Sequence, residues 1–178
     1  MPDIKLILPR PHQRMNRIAI QPYLSELESL QSDRVSEDWY RFSSSNHDAF
    51  AMARRHYSVK NRHPKSTSLA GPGEKMVLMT SDRKALFIWL YSKYRADGQD
   101  GINCTIFRNE SNVLSSVLIQ QAMKVAWDKW PERRLFTFVN PTKVSSRNPG
   151  YCFKRAGWKT CGMSNKGLII LESWPTSS

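Results

Sequence analysis

One strand–helix–strand unit constrains the fold of this chain more than any other feature. Its helix is indicated over residues 115–130, where apolar residues recur at helical spacing from Leu118 to Ala126 and a proline follows. Apolar, β-prone runs at residues 102–107 and 135–139 flank the helix. Because two strands joined by a helix in one sheet normally run parallel, the unit predicts a parallel pair and an α/β fold.

The remaining periodic runs extend this pair into a larger sheet. Further strands are predicted at residues 38–43, 76–80, 85–91, 158–163 and 168–172, and further helices at residues 45–56 and 150–156. Short polar turns join neighbouring strands at hairpin spacing, which favours antiparallel pairing. We therefore expect a mixed, mostly antiparallel sheet of about six or seven strands, flanked by helices.

Residues that favour helix ends set the expected boundaries. Ser45 is the expected N-cap of the first helix, Ser115 caps the long helix, and Asn148 caps the last one with Pro149 in its first turn. Gly157 is the expected stop of that last helix.

The chain divides into two parts by composition. Residues 1–35 are rich in proline and basic residues and predict a basic N-terminal arm with a short helix at 23–30, whereas residues 36–178 hold the predicted strands and helices of one larger domain. Within that domain, residues 58–73 combine proline, glycine, serine and basic residues, which is typical of a long surface loop.

The charge of the chain favours a polyanionic partner. The sequence holds 27 Lys and Arg against 15 Asp and Glu, for a net charge of +12. Such an excess is typical of proteins that bind nucleic acid, although it also serves solubility alone. We therefore expect a polyanionic partner, and the charge alone does not identify which polyanion it is.

The compartment follows from what the sequence lacks. Three cysteines without a paired CxxC motif favour neither a disulfide framework nor a zinc ribbon, and fit a reducing cytoplasm. We find no apolar run long enough to span a membrane and no signal-peptide pattern. A cytoplasmic protein without membrane contact is expected.

Two segments carry a family resemblance. Val139 and Asn140, followed by the run YCFKRAGW at residues 151–158, resemble the GNAT (N-acetyltransferase-related) pattern of an Asn after the fifth strand and a YxKxGF-like helix end. The predicted order of elements over residues 38–174 is similar to that fold. The resemblance implies that residues 36–178 form a GNAT-like catalytic domain. It also implies a fourth and a fifth strand that splay apart, with the reaction in the cleft between them.

The segment at residues 108–113 aligns with the loop that binds the pyrophosphate of acetyl-CoA in that family. Arg108 matches the family pattern, but Ser111 and Val113 replace its two glycines, which hinders close approach of the backbone to a pyrophosphate. Phe153 also stands where many acetyltransferases have a tyrosine that protonates the leaving thiolate. These departures disfavour acetyl-CoA.

High basicity, the altered loop and a His-Tyr-Ser run at residues 56–58 together resemble the phage Mom-type DNA modification proteins. The resemblance implies double-stranded DNA as the partner. It also implies an enzyme that adds a carbamoylmethyl-type group to adenine N6 in that DNA and protects it from restriction in the bacterial host cytoplasm. Two alternatives stay open: an acetyl-CoA-dependent N-acyltransferase acting on a small amine or protein, and a non-catalytic nucleic-acid-binding protein.

Three groups of candidate site residues follow. The catalytic candidates are His56, Tyr57, Ser58, Asn140 and Tyr151. The cofactor-binding candidates, around the start of the long helix where free N–H groups favour anions, are Arg108, Asn109, Ser111, Ser115 and Ser116. The DNA-binding candidates are Arg54, Arg55, Lys60, Arg62, Lys65, Lys143 and Arg147.

The role of His56 has competing interpretations. It can act as a general base or as a metal ligand, or it can be a structural imidazolium that the C-terminal end of the first helix favours. Tyr57 or Trp89 can stack on a flipped base, but Trp89 lies in a predicted strand and fits the core better. The sequence leaves open the small-molecule group donor, the use of a metal ion and the oligomeric state, a homodimer included.

Overall fold

Seven strands and three helices form the part of the chain that the computed structural model describes, residues 33–59, 69–144 and 146–176. The strands are β1 (Tyr40–Phe42), β2 (Glu74–Met79), β3 (Ala85–Tyr91), β4 (Ile102–Asn109), β5 (Leu135–Val139), β6 (Lys159–Met163) and β7 (Ile169–Ser173). The helices are α1 (His47–Arg54), α2 (Ser115–Lys129) and α3 (Tyr151–Arg155). The predicted helix at residues 23–30 lies outside the described residues. Within them, no helix combines the length and the apolar character that crossing a membrane requires.

The strands form one mixed sheet in the order β1-β2-β3-β4-β5-β7-β6. Neighbouring strands pair antiparallel except β4 and β5, which run parallel and are joined through α2. The predicted α/β class, the strand–helix–strand unit and the mixed sheet are thereby confirmed.

The parallel pair is short. Only Ile102, Asn103 and Cys104 of β4 pair with β5, through Leu135, Phe136 and Thr137, although β4 continues to Asn109 and β5 to Val139. The carboxyl-terminal halves of the two strands are therefore unpaired with each other. Their facing backbone groups and side chains border a gap in the middle of the sheet.

Two apolar clusters cover the two faces of the sheet, and β3 contributes to both because its residues from Ala85 to Leu90 are buried. Helices α2 and α3 pack in the first cluster, which includes Leu118, Phe153 and Trp89. Trp89 is fully buried and donates its indole N–H to the Ala122 carbonyl at 3.2 Å, so it belongs to the core. Helix α1 packs in the second cluster.

The predicted N-caps of the first two helices are wrong. Helix α1 is capped by Asn46, whose Oδ1 accepts the Ala49 N–H at 3.0 Å, because the Ser45 hydroxyl instead bonds to Ser43. Leu114 occupies the N-cap of α2 without a side-chain cap, so Ser115 is already inside the helix.

The third predicted N-cap, Asn148, is wrong as well. Helix α3 begins after Gly150, which has a positive φ of 75°. A Cβ on Gly150 would lie 2.5 Å from Leu171 Cδ1, so this position requires glycine. Gly157 follows the helix at a φ of 99°, as expected for its stop.

Two predicted boundaries near the gap also move. Helix α1 ends at Arg54 rather than at His56, and Arg108 and Asn109 belong to the end of β4 rather than to the loop after it. Leu69 and Ala70, predicted to lie in a surface loop, are instead buried in the second cluster, which also holds the apolar residues of α1.

Candidate active site

The segment after α1 brings a histidine and a tyrosine to the gap between β4 and β5. His56 and Tyr57 line two adjoining cavities, together with Cys104 and Thr105 of β4 and Phe138 of β5. The chain reaches this position because α1 ends at Arg54 and turns over the sheet, with the His56 N–H bonded to the Ala53 carbonyl at 2.9 Å. Both cavities together are called the cleft below.

The two cavities differ in size and in lining. The smaller, about 150 Å³, extends toward α3 and is also lined by Phe107, Thr137, Val139, Val144, Gly150, Cys152 and Phe153. The larger, about 400 Å³, is also lined by Ser58, Asn103, Asn140, Lys143 and Leu168. One cavity is thus mainly apolar and the other carries most of the amide and charged groups.

His56 is neutral at physiological pH. Its burial, and secondly the nearby charge of Arg108, lower its pKa from 6.5 to about 4. The interpretation of His56 as a structural imidazolium does not agree with this lowered pKa, because burial disfavours the charged form of the ring.

A hydrogen bond fixes which ring nitrogen of His56 can accept a proton. The Ser58 backbone N–H lies 3.3 Å from Nδ1 and can only donate, so Nδ1 is the acceptor and the ring proton is on Nε2. Ser58 Oγ lies 2.7 Å from the same Nδ1 and donates to it. A serine hydroxyl bonded to a neutral imidazole is an arrangement in which the ring can take up the hydroxyl proton.

Tyr57 supplies a protonated phenol beside the imidazole. The two ring centroids are 4.4 Å apart, and the phenol oxygen accepts the Asn140 backbone N–H at 3.4 Å. Burial raises the pKa of Tyr57 above its ordinary value of 10.0. The phenol O–H therefore remains available as a hydrogen-bond donor at neutral pH.

Asn140 follows β5 and holds the turn at the mouth of the larger cavity. Its Oδ1 accepts the Thr142 backbone N–H at 3.0 Å and the Thr142 hydroxyl at 2.9 Å. These bonds orient the carboxamide, so its NH₂ group is the part left to donate to a ligand. Lys143, in the same turn, is exposed and lines the larger cavity.

Arg55 and Arg108 are joined by one carboxylate. Glu110 accepts from Nε and Nη2 of Arg55 at 2.9 Å each and from Arg108 Nε at 2.5 Å, and these bonds lower its pKa to about 2. Arg108 Nη1 also donates to the Arg55 carbonyl at 2.8 Å. The guanidinium of Arg108 is therefore held beside His56 by its own protein partners.

The loop after β4 is bonded to itself. Asn109 Nδ2 donates to the Val113 carbonyl at 2.7 Å and to Ser115 Oγ at 3.0 Å, and Asn109 Oδ1 accepts from Ser111 N and Oγ. The Val113 N–H in turn donates to Ser111 Oγ at 3.2 Å. Ser116 lies one residue further into α2. The backbone N–H groups of Ser111 and Val113 are thus already donated to side chains of the loop itself.

Other predicted residues lie away from the cleft or outside the described residues. Tyr151 is 55% exposed on α3 and lines neither cavity, and Arg54 and Arg147 are exposed. Lys60, Arg62 and Lys65 fall outside the described residues.

Several cleft residues escaped the sequence analysis because they lie in strands whose pattern indicates core. Asn103, Thr105 and Thr137 are polar residues in otherwise apolar runs, and that contrast is the signal that could have found them. Cys104 and Cys152 line the smaller cavity, where burial raises the pKa of each thiol. Both thiols are therefore protonated at neutral pH.

A larger groove of about 650 Å³ lies between α2 and the β6–β7 hairpin. Its ionisable side chains are Lys124, Lys159 and Glu172, and Glu172 already accepts from Arg134 Nε at 2.6 Å. Among the residues that the structure describes, no three His, Cys, Asp or Glu side chains lie together as a metal site would require. The cleft, with a neutral imidazole and a phenol, is the better candidate for chemistry.

Comparisons of the chain with protein-family models, with curated proteins and with solved structures each find no match.

Proposed function

We propose that this chain is a transferase that attaches a small group, of the carbamoylmethyl type, to the exocyclic N6 of adenine in double-stranded DNA and so protects that DNA from restriction. The observation that carries the proposal is the position of His56 and Tyr57, between two cavities where β4 and β5 part. The acceptor and the group are those implied by the resemblance to the GNAT fold and to Mom-type proteins.

Two adjoining cavities suit a reaction between two bound molecules. The larger, with Lys143 at its border, suits the DNA side, because a cation near the entrance favours a phosphate backbone. An adenine can react at N6 in such a cavity only after it has been flipped from the duplex, and in this proposal the Tyr57 ring, which lines the cavity, stacks on it. The smaller, mainly apolar cavity is assigned to the group donor.

The proton donors and acceptors that line the cleft suit this transfer. The amine nitrogen forms a bond to the electrophilic carbon of the donor, and the bond from that carbon to its leaving group breaks with departure of the electron pair. The amine proton passes to Ser58 Oγ while the Ser58 hydroxyl proton passes to Nδ1 of His56, which is neutral and 2.7 Å away. The Tyr57 O–H can donate to the departing group.

The loop after β4 argues for a donor other than acetyl-CoA. The Ser111 and Val113 N–H groups are donated to Asn109 and Ser111 side chains, so a pyrophosphate would have to compete for them. Arg108 is engaged by Glu110. We therefore propose a small-molecule donor that does not depend on this loop for pyrophosphate binding.

Nucleoside analysis tests the proposal. The protein is produced in a bacterium, and the deoxynucleosides of the host DNA are examined by mass spectrometry for a carbamoylmethyl-type mass increment on deoxyadenosine. We expect the modified nucleoside with the wild type, and at least about 100-fold less with His56→Gln, since general acid–base catalysis typically contributes 10²–10⁴-fold. The matched control is His47→Gln, because the His47 side chain is 96% exposed at the start of α1.

An unmodified deoxyadenosine pool with the wild type would contradict the proposed function. Equal modification by the wild type and by His56→Gln would leave the function standing and remove His56 from the mechanism. Loss of modification in His47→Gln as well would indicate that the effect is not specific to the cleft.

A further inference from the structure

The segment at residues 55–59 carries His56 and Ser58 to the cleft but makes few hydrogen bonds to the sheet. Most of its bonds are local, since the Arg55 and His56 N–H groups donate to carbonyls of α1 and Ser58 bonds to the His56 ring. Outside α1 and the segment itself, three of the described residues exchange hydrogen bonds with it: Arg108, Glu110 and Asn140. Besides apolar packing, these three partners therefore determine where the segment lies over the gap.

The attachment at Glu110 is stronger than the attachment at Asn140. The Tyr57 phenol oxygen accepts the Asn140 N–H at 3.4 Å, which is long for a bond of this kind. The Glu110 carboxylate instead accepts from Nε and Nη2 of Arg55 at 2.9 Å each, as a fork of two charge-assisted bonds. The stronger attachment is thus at the first residue of the segment, one position before His56.

Arg108 adds a further bond at the same residue. Its Nη1 donates to the Arg55 carbonyl at 2.8 Å, and that carbonyl belongs to the peptide bond that leads into His56. Its Nε donates to Glu110 at 2.5 Å, so one guanidinium joins the carboxylate to the backbone beside the imidazole. Arg55, Arg108 and Glu110 are called the clamp below.

The clamp is fixed to the sheet at its other end. Arg108 belongs to β4 and pairs with Leu86 of β3, and the Glu110 N–H donates to the Lys84 carbonyl at 2.7 Å. Because β4 is an internal strand of the sheet, its end is a rigid support for residues that have to be held in place.

We infer that Glu110 is a positioning residue, whose carboxylate holds Arg55 against Arg108 and so keeps His56 at the gap between β4 and β5. Glu110 lines neither cavity of the cleft, so it acts through the segment rather than on a bound molecule. A carboxylate suits this role because it accepts from two guanidinium groups at once, whereas a carboxamide would turn an NH₂ group toward them. The inference rests on the proposed function in that His56 is the residue that takes up the proton.

A purely electrostatic role for Glu110 predicts the opposite result from a positioning role. The Arg108 charge lowers the His56 pKa, and the carboxylate beside that guanidinium offsets part of its charge. If Glu110 acted by charge alone, its loss would lower the His56 pKa further. If it positions the segment, its loss lets the ring leave its buried place, and the pKa returns toward the ordinary value of 6.5.

Titration of the His56 ring by NMR separates the two roles without any reaction. The ring resonance is identified by its absence from His56→Gln and is followed from pH 8 to pH 3.5. The wild type should titrate near pH 4, whereas Glu110→Gln should show a midpoint above about 5. Wild-type Glu110 stays ionised over this range, because its bonds to the two arginines lower its pKa to about 2. The other ionisable side chains that line the cleft are the same in every variant: Tyr57, Cys104, Lys143 and Cys152.

Glu74→Gln is the matched control. Glu74 begins β2, and its carboxylate accepts from Lys129 Nζ at 2.7 Å, so the control removes the same charge and a similar ion pair outside the cleft. It should keep the wild-type midpoint. In the host-DNA assay, Glu110→Gln should yield at least about 10-fold less modified deoxyadenosine than the wild type or Glu74→Gln, because a displaced catalytic group loses its alignment with the reacting atoms.

Arg108→Lys tests the same attachment if Glu110→Gln does not fold. Lysine keeps the positive charge near His56 but offers one nitrogen in place of the two that join Glu110 to the Arg55 carbonyl. A positioning role again predicts a midpoint above about 5, whereas a role of the charge alone predicts the wild-type midpoint near 4.

A His56 midpoint that stays near 4 or falls in Glu110→Gln, an equal rise in Glu74→Gln, or an undiminished yield of modified deoxyadenosine in Glu110→Gln would each overturn the inference. A midpoint that rises in Glu110→Gln and not in the control, together with unmodified host DNA from the wild type, would instead refute the proposed reaction and leave the positioning role standing. Modified deoxyadenosine with a midpoint and a yield that do not depend on Glu110 would do the reverse.

Discussion

Protonation of His56 should destabilise this protein, because the folded state holds the ring in its neutral form. Burial and the nearby Arg108 charge lower the pKa of the folded state to about 4, whereas an unfolded chain has the ordinary value near 6.5. Between these two values the unfolded chain binds a proton that the folded protein does not. The free energy of unfolding should therefore fall as the pH falls from above 6.5 toward 4.

The size of this effect follows from the same two values. Each unit between the pH and the unfolded pKa is equivalent to 1.36 kcal/mol once the pH lies below 6.5 and above the folded pKa. Lowering the pH from 7 to 5 should thus cost about 2 kcal/mol through His56 alone. Carboxylates with lowered pKa values, such as that of Glu110, lose their contribution at more acidic pH.

The measurement compares the wild type with His56→Gln. Urea unfolding followed by tryptophan fluorescence gives the free energy of unfolding of each at several pH values from 7.5 to 5. The wild type should lose about 2 kcal/mol more than the variant between pH 7 and pH 5. His47→Gln, which changes an exposed ring, should follow the wild type.

If the free energy of unfolding changed with pH in the same way for the wild type and His56→Gln, the reasoning would be refuted. That result would mean that the folded and unfolded states bind the His56 proton equally well. A wild type whose free energy of unfolding rises relative to that of the variant at low pH would mean that the folded state favours the charged ring. That result would support the interpretation of His56 as an imidazolium at the helix end. Titration of the His56 ring by NMR, with a midpoint near 6.5, would contradict the argument directly.

Two further predictions concern the borders of the cleft. Asn109→Ala removes four hydrogen bonds from the loop after β4 and should lower the free energy of unfolding by roughly 2–4 kcal/mol, measured by urea unfolding against the exposed control Asn112→Ala. An effect no larger than that of the control would contradict this role. Lys143→Ala should reduce the slope of log K for DNA against log salt by about one, as expected for one lost phosphate contact, whereas Lys124→Ala on α2 should not. Equal slopes for all three proteins would exclude Lys143 from the DNA contact.

Local patterns in the sequence predicted the elements of the fold well. The spacing of apolar residues from Leu118 to Ala126 was enough to predict α2. The connection through that helix was enough to predict that β5 runs parallel to β4. The helix follows from the periodicity of its own residues, and the strand direction follows from the geometry of a strand–helix–strand connection. Neither prediction needed information about contacts with other elements. His56 and Tyr57 also entered as candidates from the sequence alone.

Helix ends were predicted less well because several polar side chains compete for the same bonds. Ser115 was expected to cap α2, but Asn109 reaches across the loop and donates to its hydroxyl. Helix α3 starts after Gly150 rather than after Asn148, and Leu171 leaves no room for a side chain at position 150. Such contacts join residues distant in sequence, and no local pattern records them.

The sequence by itself determined the mixed α/β sheet, the basic charge and the presence of a His-Tyr-Ser segment after the first helix. Only the tertiary structure decided that His56 is neutral, that Arg108 is held by Glu110, and that Oδ1 of Asn103 is buried without a hydrogen bond. The physical reason is the same in each case. Protonation and hydrogen bonding depend on burial and on neighbours that the fold brings together, whereas secondary structure depends largely on residues close along the chain.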